Sequence, residues 1–452
     1  MSDTIAAIAT GSGRCAIGII RLSGDACFEI CGRVFHPDNG AAFADSPPRF
    51  MTLGRVFDSA GRVLDHVLGV RFPAPHSYTG EDCAELHCHG SPVALREILS
   101  ALFDAGARQA EAGEFTKRAF LNGQLDLTEA EAVIDLIDAE TAAAARNAVA
   151  QLDGGLRRVL EPLQDALLDV ASRFYAVVDY PDEEIEDVKP DEINDALRKS
   201  AEVLDNLLGA CRRGRVLKSG LRAAIIGRPN AGKSSLLNAL AGFDRAIVTE
   251  IPGTTRDAIE ETAVCGGILL RLIDTAGLRD ASDTVERLGV ERSRQAASGA
   301  DLIFVVADGS AAPSPEDAQA LALARDAGKP WILVRNKCDL PEHPDFPARD
   351  GEIRVSAKTG AGLSDLESAV RTLFPDGGAS PGTLLTDERQ EDAARRARAA
   401  VRRAQEALQS GLTPDAALTD IEDALNAVGE LTGRTAKEEL VTRIFSRFCV
   451  GK

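Results

Sequence analysis

A chain of 452 residues exceeds what one hydrophobic core organises, so two or three domains are expected. Hydrophobic residues at 44% and charged residues at 27% exclude a disordered or fibrous chain, and nine scattered cysteines without Cys-x-x-Cys spacing exclude a disulfide framework. The net charge of −19 repels a polyanion on average, so any nucleic-acid contact must come through a local basic patch or a partner.

Residues 1–118 read as an α+β unit, with strands over 16–20 and Val63–Phe72 separated by short Gly, Pro and Asp turns. Residues 119–215 read as helical, opening on a capping box at Thr128 and Glu131. Leu163, Leu167, Val170, Phe174 and Val177, spaced by fours and threes, form one apolar helix face that packs on another helix. Between 216 and 380, apolar strands (Ala223–Ile226, Ile268–Ile273, Leu302–Ala307, Ile332–Arg335) alternate with helical stretches. That alternation predicts a parallel, doubly wound sheet with crossover helices. After a linker at Pro375–Gly382 the helical pattern resumes over 381–452, with a capping box predicted at Thr419 and Glu422 and a stripe of Ile421, Leu425 and Val428. The economical reading is one helical domain interrupted by an inserted α/β domain, a topology that slow growth of loop-closure cost tolerates. No signal peptide and no membrane helix are expected, since the apolar runs are short and Asp3 precedes them; reduced thiols fit a cytoplasmic protein.

The inserted domain carries the chemistry. Gly227 to Ser234 is a phosphate loop placed between an apolar strand and a helix, so backbone N–H groups of Asn230, Ala231, Gly232 and Ser235 can close around phosphates. Lys233 reaches the β- and γ-phosphates and Ser234 offers a hydroxyl to Mg²⁺. Asp274-Thr-Ala-Gly277 follows the next strand; its carboxylate serves the magnesium shell and the Gly277 amide senses the γ-phosphate. In the segment between them, Thr255 is the expected switch threonine on Mg²⁺. Asn336-Lys337-Cys338-Asp339 selects guanine, because a carboxylate accepts from both N1–H and the 2-amino group, and Ser356-Ala357-Lys358 supplies a backbone N–H to O6. Small signalling GTPases have a water-positioning glutamine where Leu278 stands; the following segment offers Asp283 and Glu286 instead.

Asn230 in the phosphate loop, Gly253 to Asp257, Asp274 to Arg279, Phe115 to Gly123, the Thr79–Asp82 turn with His89-Gly90, Tyr180 to Glu184 and the terminal Phe448-Cys-Val-Gly-Lys452 resemble the tRNA-modification GTPases of the MnmE (TrmE) family over the whole length. The resemblance implies an N-terminal domain that binds a tetrahydrofolate derivative (5-formyl or 5,10-methylene) and dimerises the chain, and an inserted G domain activated by potassium-dependent pairing. It also implies a flavin-dependent partner, MnmG or GidA, with which a carboxymethylaminomethyl group is added to the wobble uridine of certain tRNAs. By position, Asn230 would hold K⁺ with oxygens of Thr249, Ile251 and Thr254, and Glu286 would orient the water. The folate positions are Arg21, Glu85, Gln124 and Lys452, with Gln124 replacing the family's usual lysine, so that either weaker folate affinity or a substitute cation such as Lys117 or Arg118 is expected.

Other features read as structural. His87 and His89 share one strand face without a distant ligand set, Cys449 is a lone thiol near the tail, and the acidic run 179–187 is a solvated loop. The arginines 395, 396, 398, 402 and 403 could face tRNA or partner, or simply solvent. The rival functional readings are a ribosome-assembly or signalling GTPase switch and a folate-dependent one-carbon transferase with a vestigial G domain.

Overall fold

The computed structural model describes residues 3–11, 13–179, 190–243, 261–273, 286–375, 380–410 and 414–452. By internal contacts the chain divides into two compact units: Met1–Ile134 with Leu160–Ser172 and Leu418–Lys452, and Asp135–Val159 with Arg173–Ala417.

In the first unit, strands β1 (Ile5–Ile8), β2 (Ile17–Ser23), β3 (Phe35–Pro37), β4 (Thr52–Phe57), β5 (Val63–Phe72), β6 (Cys83–His89) and β7 (Arg108–Gln109) form a sheet in the order β3-β4-β5-β6-β2-β1-β7. Pairing is antiparallel except between β1 and β7. The period of two sends Ile20, Leu22, Ala84 and Leu86 into a core covered by helices α1 (Cys27–Val34) and α2 (Pro92–Asp104), through Ile30, Leu95, Ile98 and Leu102. It sends Arg21, Glu85 and His87 to the opposite face. Helices α3 (Glu114–Leu121) and α4 (Leu127–Ile137) follow. The capping box of α4 is Asp126 with Glu129, not Thr128 with Glu131. Asp126 Oδ1 accepts from the Glu129 amide at 2.8 Å, and Glu129 Oε2 from the Asp126 amide at 2.9 Å. Thr128 merely donates its hydroxyl to Asp126.

Along the chain, α5 (Ala142–Leu152) precedes α6 (Gly155–Asp179) and α7 (Pro190–Ser219) follows it; the stripe of α6 is buried at Leu163, Leu167 and Val170. The side chains of Phe174 and Val177 lie outside the described residues. The inserted domain, within the second unit, begins with β8 (Leu221–Ile226), α8 (Lys233–Phe243), β9 (Glu261–Cys265) and β10 (Ile268–Leu272). It continues through α9 (Glu286–Gly299), β11 (Leu302–Asp308), α10 (Pro315–Asp326), β12 (Trp331–Asn336), β13 (Ile353–Arg354) and α11 (Leu363–Leu373). The strand order is β13-β12-β11-β8-β10-β9. All neighbours are parallel, as expected of a doubly wound sheet, except β9, an antiparallel edge strand on β10 that is not among the predicted strands. β11 is buried at every position; Leu302, Phe304 and Val306 meet α8 and α11 on one face, and Ile303 and Val305 meet α9 and α10 on the other. Parallel pairing sets the C-terminal ends of β8, β10, β11 and β12 along one edge, where ligands of such sheets bind.

Helix α12 (Glu388–Gln409) packs its alanines against α7, and α13 (Pro414–Thr432) and α14 (Glu438–Phe445) complete the chain. Thr419 lies five residues inside α13, so it caps nothing. Ile421 and Val428 are buried in α13, with Leu425 half-buried. The arginines of α12 are spent on carboxylates: Arg395 on Glu391, Arg396 on Asp392, Arg398 on Asp205 and Arg402 on Glu406. Arg403 is also engaged.

Candidate guanine-nucleotide site

β8 ends at Ile226, and Gly227 turns the chain out of the sheet so tightly that a Cβ there would lie 2.2 Å from the Val306 carbonyl oxygen. The loop then winds through Asn230 at φ 62 and Gly232 at φ 94 into α8. Lys233 Nζ lies within this loop, donating to the carbonyls of Gly227 and Arg228 at 2.8 Å each. Burial lowers the pKa of its ammonium, a cost that polyphosphate charge would offset. Arg228 is turned away, its Nε 3.5 Å from Asp317 at the start of α10.

Asn336 ends β12 and joins two elements of the site. Its Nδ2 donates to the Ala231 carbonyl in the phosphate loop at 2.9 Å, and its Oδ1 accepts from the Ala357 amide at 3.0 Å. Ser356, fully buried, donates its hydroxyl to Asp339 Oδ1 at 2.7 Å. That bond holds the Asp339 carboxyl below the usual carboxylate range, keeping it an acceptor. Thus Asn230, Ala231, Gly232, Lys233, Asn336, Lys337, Asp339, Ser356, Ala357 and Lys358 all lie at the strand-end edge that the parallel sheet provides. The Ala357 amide is already taken by Asn336, and the amides of Ser356, Thr359, Gly360 and Ala361 are bonded within the loop itself.

Sequence reasoning missed Asp308, at the end of β11. Its carboxylate accepts from Lys337 Nζ at 2.5 Å and from the Ser310 hydroxyl at 2.6 Å. Burial acts to raise its pKa, but Lys337 and Ser310 outweigh burial and lower it. The available signal was an aspartate closing an apolar run in a parallel sheet, beside the asparagine that closes the next one.

Ser234 and Ser235 open α8. Ser234 carries a hydroxyl of the kind that could serve Mg²⁺, and Asn230, at positive φ, is exposed. Thr249, Ile251, Thr254, Thr255, Asp274 and Gly277 lie outside the described residues, as does the side chain of Glu286, the first residue of α9. Most of the acidic run 179–187 lies there too.

Within the first unit, two of the predicted folate positions, Arg21 and Glu85, occupy the sheet face opposite α1 and α2, while Gln124 and Lys452 lie outside the strands. Arg21 donates to Glu85 Oε1 at 2.9 Å, and His87 Nε2 lies 3.2 Å from Glu85 Oε2. The Arg21 guanidinium stands over the rings of Tyr78 at 5.2 Å and Phe115 at 5.8 Å. The tail reaches this neighbourhood: the Phe115 amide donates to the Lys452 carbonyl at 3.2 Å, and Val450 bridges Ala112. A carboxylate, a guanidinium and two rings are a donor set suited to a pterin and its glutamate. Gln124 packs beside Gly80 in the Thr79–Asp82 turn. Cys449 is exposed, and His89 is bonded to Asp65 at 2.7 Å.

The substitute-cation expectation is corrected. Arg118, with a side chain 10% exposed, is bonded to Glu81 and Glu114 at 2.9 Å and to Asp3 at 2.7 Å. Lys117 points to Thr442 at 3.4 Å. Arg118 instead holds the Thr79–Asp82 turn through Glu81. Burial acts to raise the pKa of Glu114, but Arg108, the Glu111 amide and Arg118 outweigh it and hold the carboxyl at about 2. Since this lies below the ordinary 4.5, the stabilisation is complete above that value and is lost as pH falls through about 2. Glu114→Gln should therefore cost on the order of 3 kcal/mol near neutral pH. In urea unfolding the gap from the parent should narrow as the buffer is acidified; a gap independent of pH would refute this.

The family model for the MnmE helical domain matches residues 127–449, spanning the inserted domain, and that for the GTP-binding protein TrmE N-terminus matches residues 4–124. The chain is 43% identical to the tRNA modification GTPase MnmE of Roseiflexus castenholzii, covering 100% of this chain and 99% of that protein. It is 45% identical to the protein of that name from Symbiobacterium thermophilum, with 100% and 99% covered. With that of Akkermansia muciniphila it shares 43%, with 99% of each covered. No helix among the described residues is long and apolar enough to cross a membrane.

Proposed function

Because the chain belongs to the MnmE family of tRNA modification GTPases, we propose that it couples GTP hydrolysis to the addition of a carboxymethylaminomethyl group at C5 of the wobble uridine of certain tRNAs. In this reading it works as a homodimer with the flavin-dependent MnmG (GidA) protein. Its parts are a folate-binding domain over 1–118, a helical domain over 119–215 and 381–452, and a G domain over 216–380.

The observation that carries the reading is the Asn336 bridge between the phosphate loop and the loop of Ser356 and Ala357, with Asp339 held ionised beside it. It makes one continuous guanine-nucleotide cradle from three separate sequence motifs. Lys233 binds the β- and γ-phosphate oxygens, exchanging two carbonyl partners for anionic ones. Asp339 accepts from the guanine N1–H and 2-amino group, a pair of donors that adenine lacks. Ser234 and Thr255 hold magnesium, with Asp274 in its shell; the ion, when bound, neutralises charge on the β- and γ-oxygens. Asn230, with oxygens of Thr249, Ile251 and Thr254, holds potassium, which supplies the positive charge an arginine finger gives other GTPases. Glu286 orients the attacking water where Leu278 cannot. On the sheet face of the N-terminal domain, Glu85 takes the pterin edge, Arg21 and Lys452 favour the anionic tail, and Gln124 contributes a neutral hydrogen-bonding group. tRNA is reached mainly through the partner protein, consistent with the carboxylate-paired arginines of α12.

Turnover of GTP in potassium chloride against sodium chloride, with and without the flavoprotein, tests this directly. About tenfold or more acceleration by potassium is expected, absent in Asn230→Ala. Equal rates in the two salts would end the potassium assignment, and equal affinity for GDP and ADP would end the GTPase reading itself.

A further inference from the structure

The hairpin of β9 and β10 occupies a particular place in the chain. It follows the segment containing Thr254 and Thr255 and leads straight into Asp274, so it joins the two segments expected to sense the γ-phosphate. Within the G domain it is anchored by register on both sides: Leu270 and Leu272 pair with Leu221 and Ala223 of β8, and Thr262 with Arg271 across the hairpin. Arg271 of this hairpin reaches both the end of α7, where the chain enters the G domain, and the helical domain. Arg271 donates through Nε to the carbonyl of Ser219, the last residue of α7, at 2.8 Å, and through its terminal nitrogen to Glu140 Oε1 at 2.8 Å. Glu140 lies between α4 and α5, in the part matched by the helical-domain family model.

The same corner is tied three times more. Lys218 pairs with Asp135 at 2.8 Å and with Asp387, the N-cap of α12, at 3.5 Å, while Thr386 donates to Asp135 at 2.9 Å. Gly220, at φ 73, brings the chain into β8 so close to β10 that a Cβ would stand 2.7 Å from the Leu269 carbonyl oxygen. The chain's passage into the G domain, its return to the helical domain and the middle of the interswitch hairpin therefore meet one set of helical carboxylates. Asp138 lies in the same corner: burial, with Asp135 and Glu140 and against Lys218, raises its pKa.

We propose that Arg271 is a positioning residue for GTP hydrolysis: its link to Glu140 and the end of α7 fixes the β9–β10 hairpin against the helical domain, and so sets where Asp274 enters the nucleotide site. The inference rests on the guanine-nucleotide reading above. An anchor with one third of each side chain exposed adds little to stability, whereas small displacements of reacting groups are costly to rate. The two roles are therefore separable by experiment.

The test uses the full-length protein in saturating potassium with magnesium. Arg271→Gln and Glu140→Gln are each expected to lower kcat for GTP about five- to tenfold, with GDP affinity and Tm within error of the parent. Arg271→Lys should retain most of the rate, and the exchange of charges in R271E/E140R should recover part of what either reversal alone loses. Unchanged or raised kcat in both single variants overturns the proposal, as does a loss of rate that follows Tm or GDP affinity. If the parent protein itself fails to bind GDP in preference to ADP, the nucleotide reading falls instead, so the two failures are distinguishable.

Discussion

Replacing Asp339 by asparagine is expected to weaken GDP binding by about two orders of magnitude or more. The carboxylate is fixed by Ser356 at 2.7 Å and kept ionised by that bond, so one oxygen is oriented and both remain acceptors. An asparagine of the same shape presents an amide NH₂ to at least one guanine donor, and a donor facing a donor loses the bond and repels. The converse follows from the same geometry: xanthine carries a carbonyl where guanine has its amino group, so Asp339→Asn should bind xanthosine diphosphate better than the parent does. Calorimetric titration with GDP, ADP and xanthosine diphosphate reads all three at once. A variant that keeps parental GDP affinity would mean that the base lies elsewhere and that Asp339 merely closes the Ser356 turn.

The nucleotide site was legible because its motifs are short, local and flanked by the right elements. Gly227 to Ser234 needs a strand before it and a helix after it, and β8 and α8 supply both. What the sequence hid depends on contacts across long separations or on competition between near-equal local signals. Asn336 reads as part of the base-selecting motif, but its bridge to Ala231 spans 105 residues and only the parallel register of β8, β11 and β12 makes it. The capping box of α4 differs from expectation for another reason. Thr128 and Glu131 match the pattern, yet Asp126 and Glu129 match it two residues earlier, and the earlier carboxylate captured both the backbone amide and the threonine hydroxyl.

Charge was the other blind spot. Glu391, Asp392 and Glu406 stand four residues from Arg395, Arg396 and Arg402, so their pairing could have been read from spacing alone. Asp205, the partner of Arg398, stands 193 residues away and could not. Arg118 shows the same limit, since a cation next to the expected folate positions looked available until the fold buried it among Asp3, Glu81 and Glu114. A sequence counts charges, but only packing decides which of them face a ligand.

The other large effect expected is at Gly232, where alanine should lower nucleotide affinity by about a hundredfold or more while leaving the G-domain core intact. Two costs fall together. The residue sits at φ 94, a conformation that an L side chain rarely adopts, and the added Cβ would stand 2.0 Å from Asn336 Nδ2. Asn336 is buried and bonded at both ends of its amide, so it has no cheap way to yield; moving it breaks its bond to Ala231, its bond to Ala357, or both. The phosphate loop and the base-recognising loop would then be held separately, and ordering both at once would fall to the nucleotide. Gly242, exposed in α8 immediately after the loop and with nothing within 4 Å of an added methyl, is the control. Gly242→Ala should bind GDP within about twofold of the parent, since alanine in an exposed helix costs nothing. If Gly232→Ala binds as tightly as Gly242→Ala, the bridge through Asn336 does not organise the site.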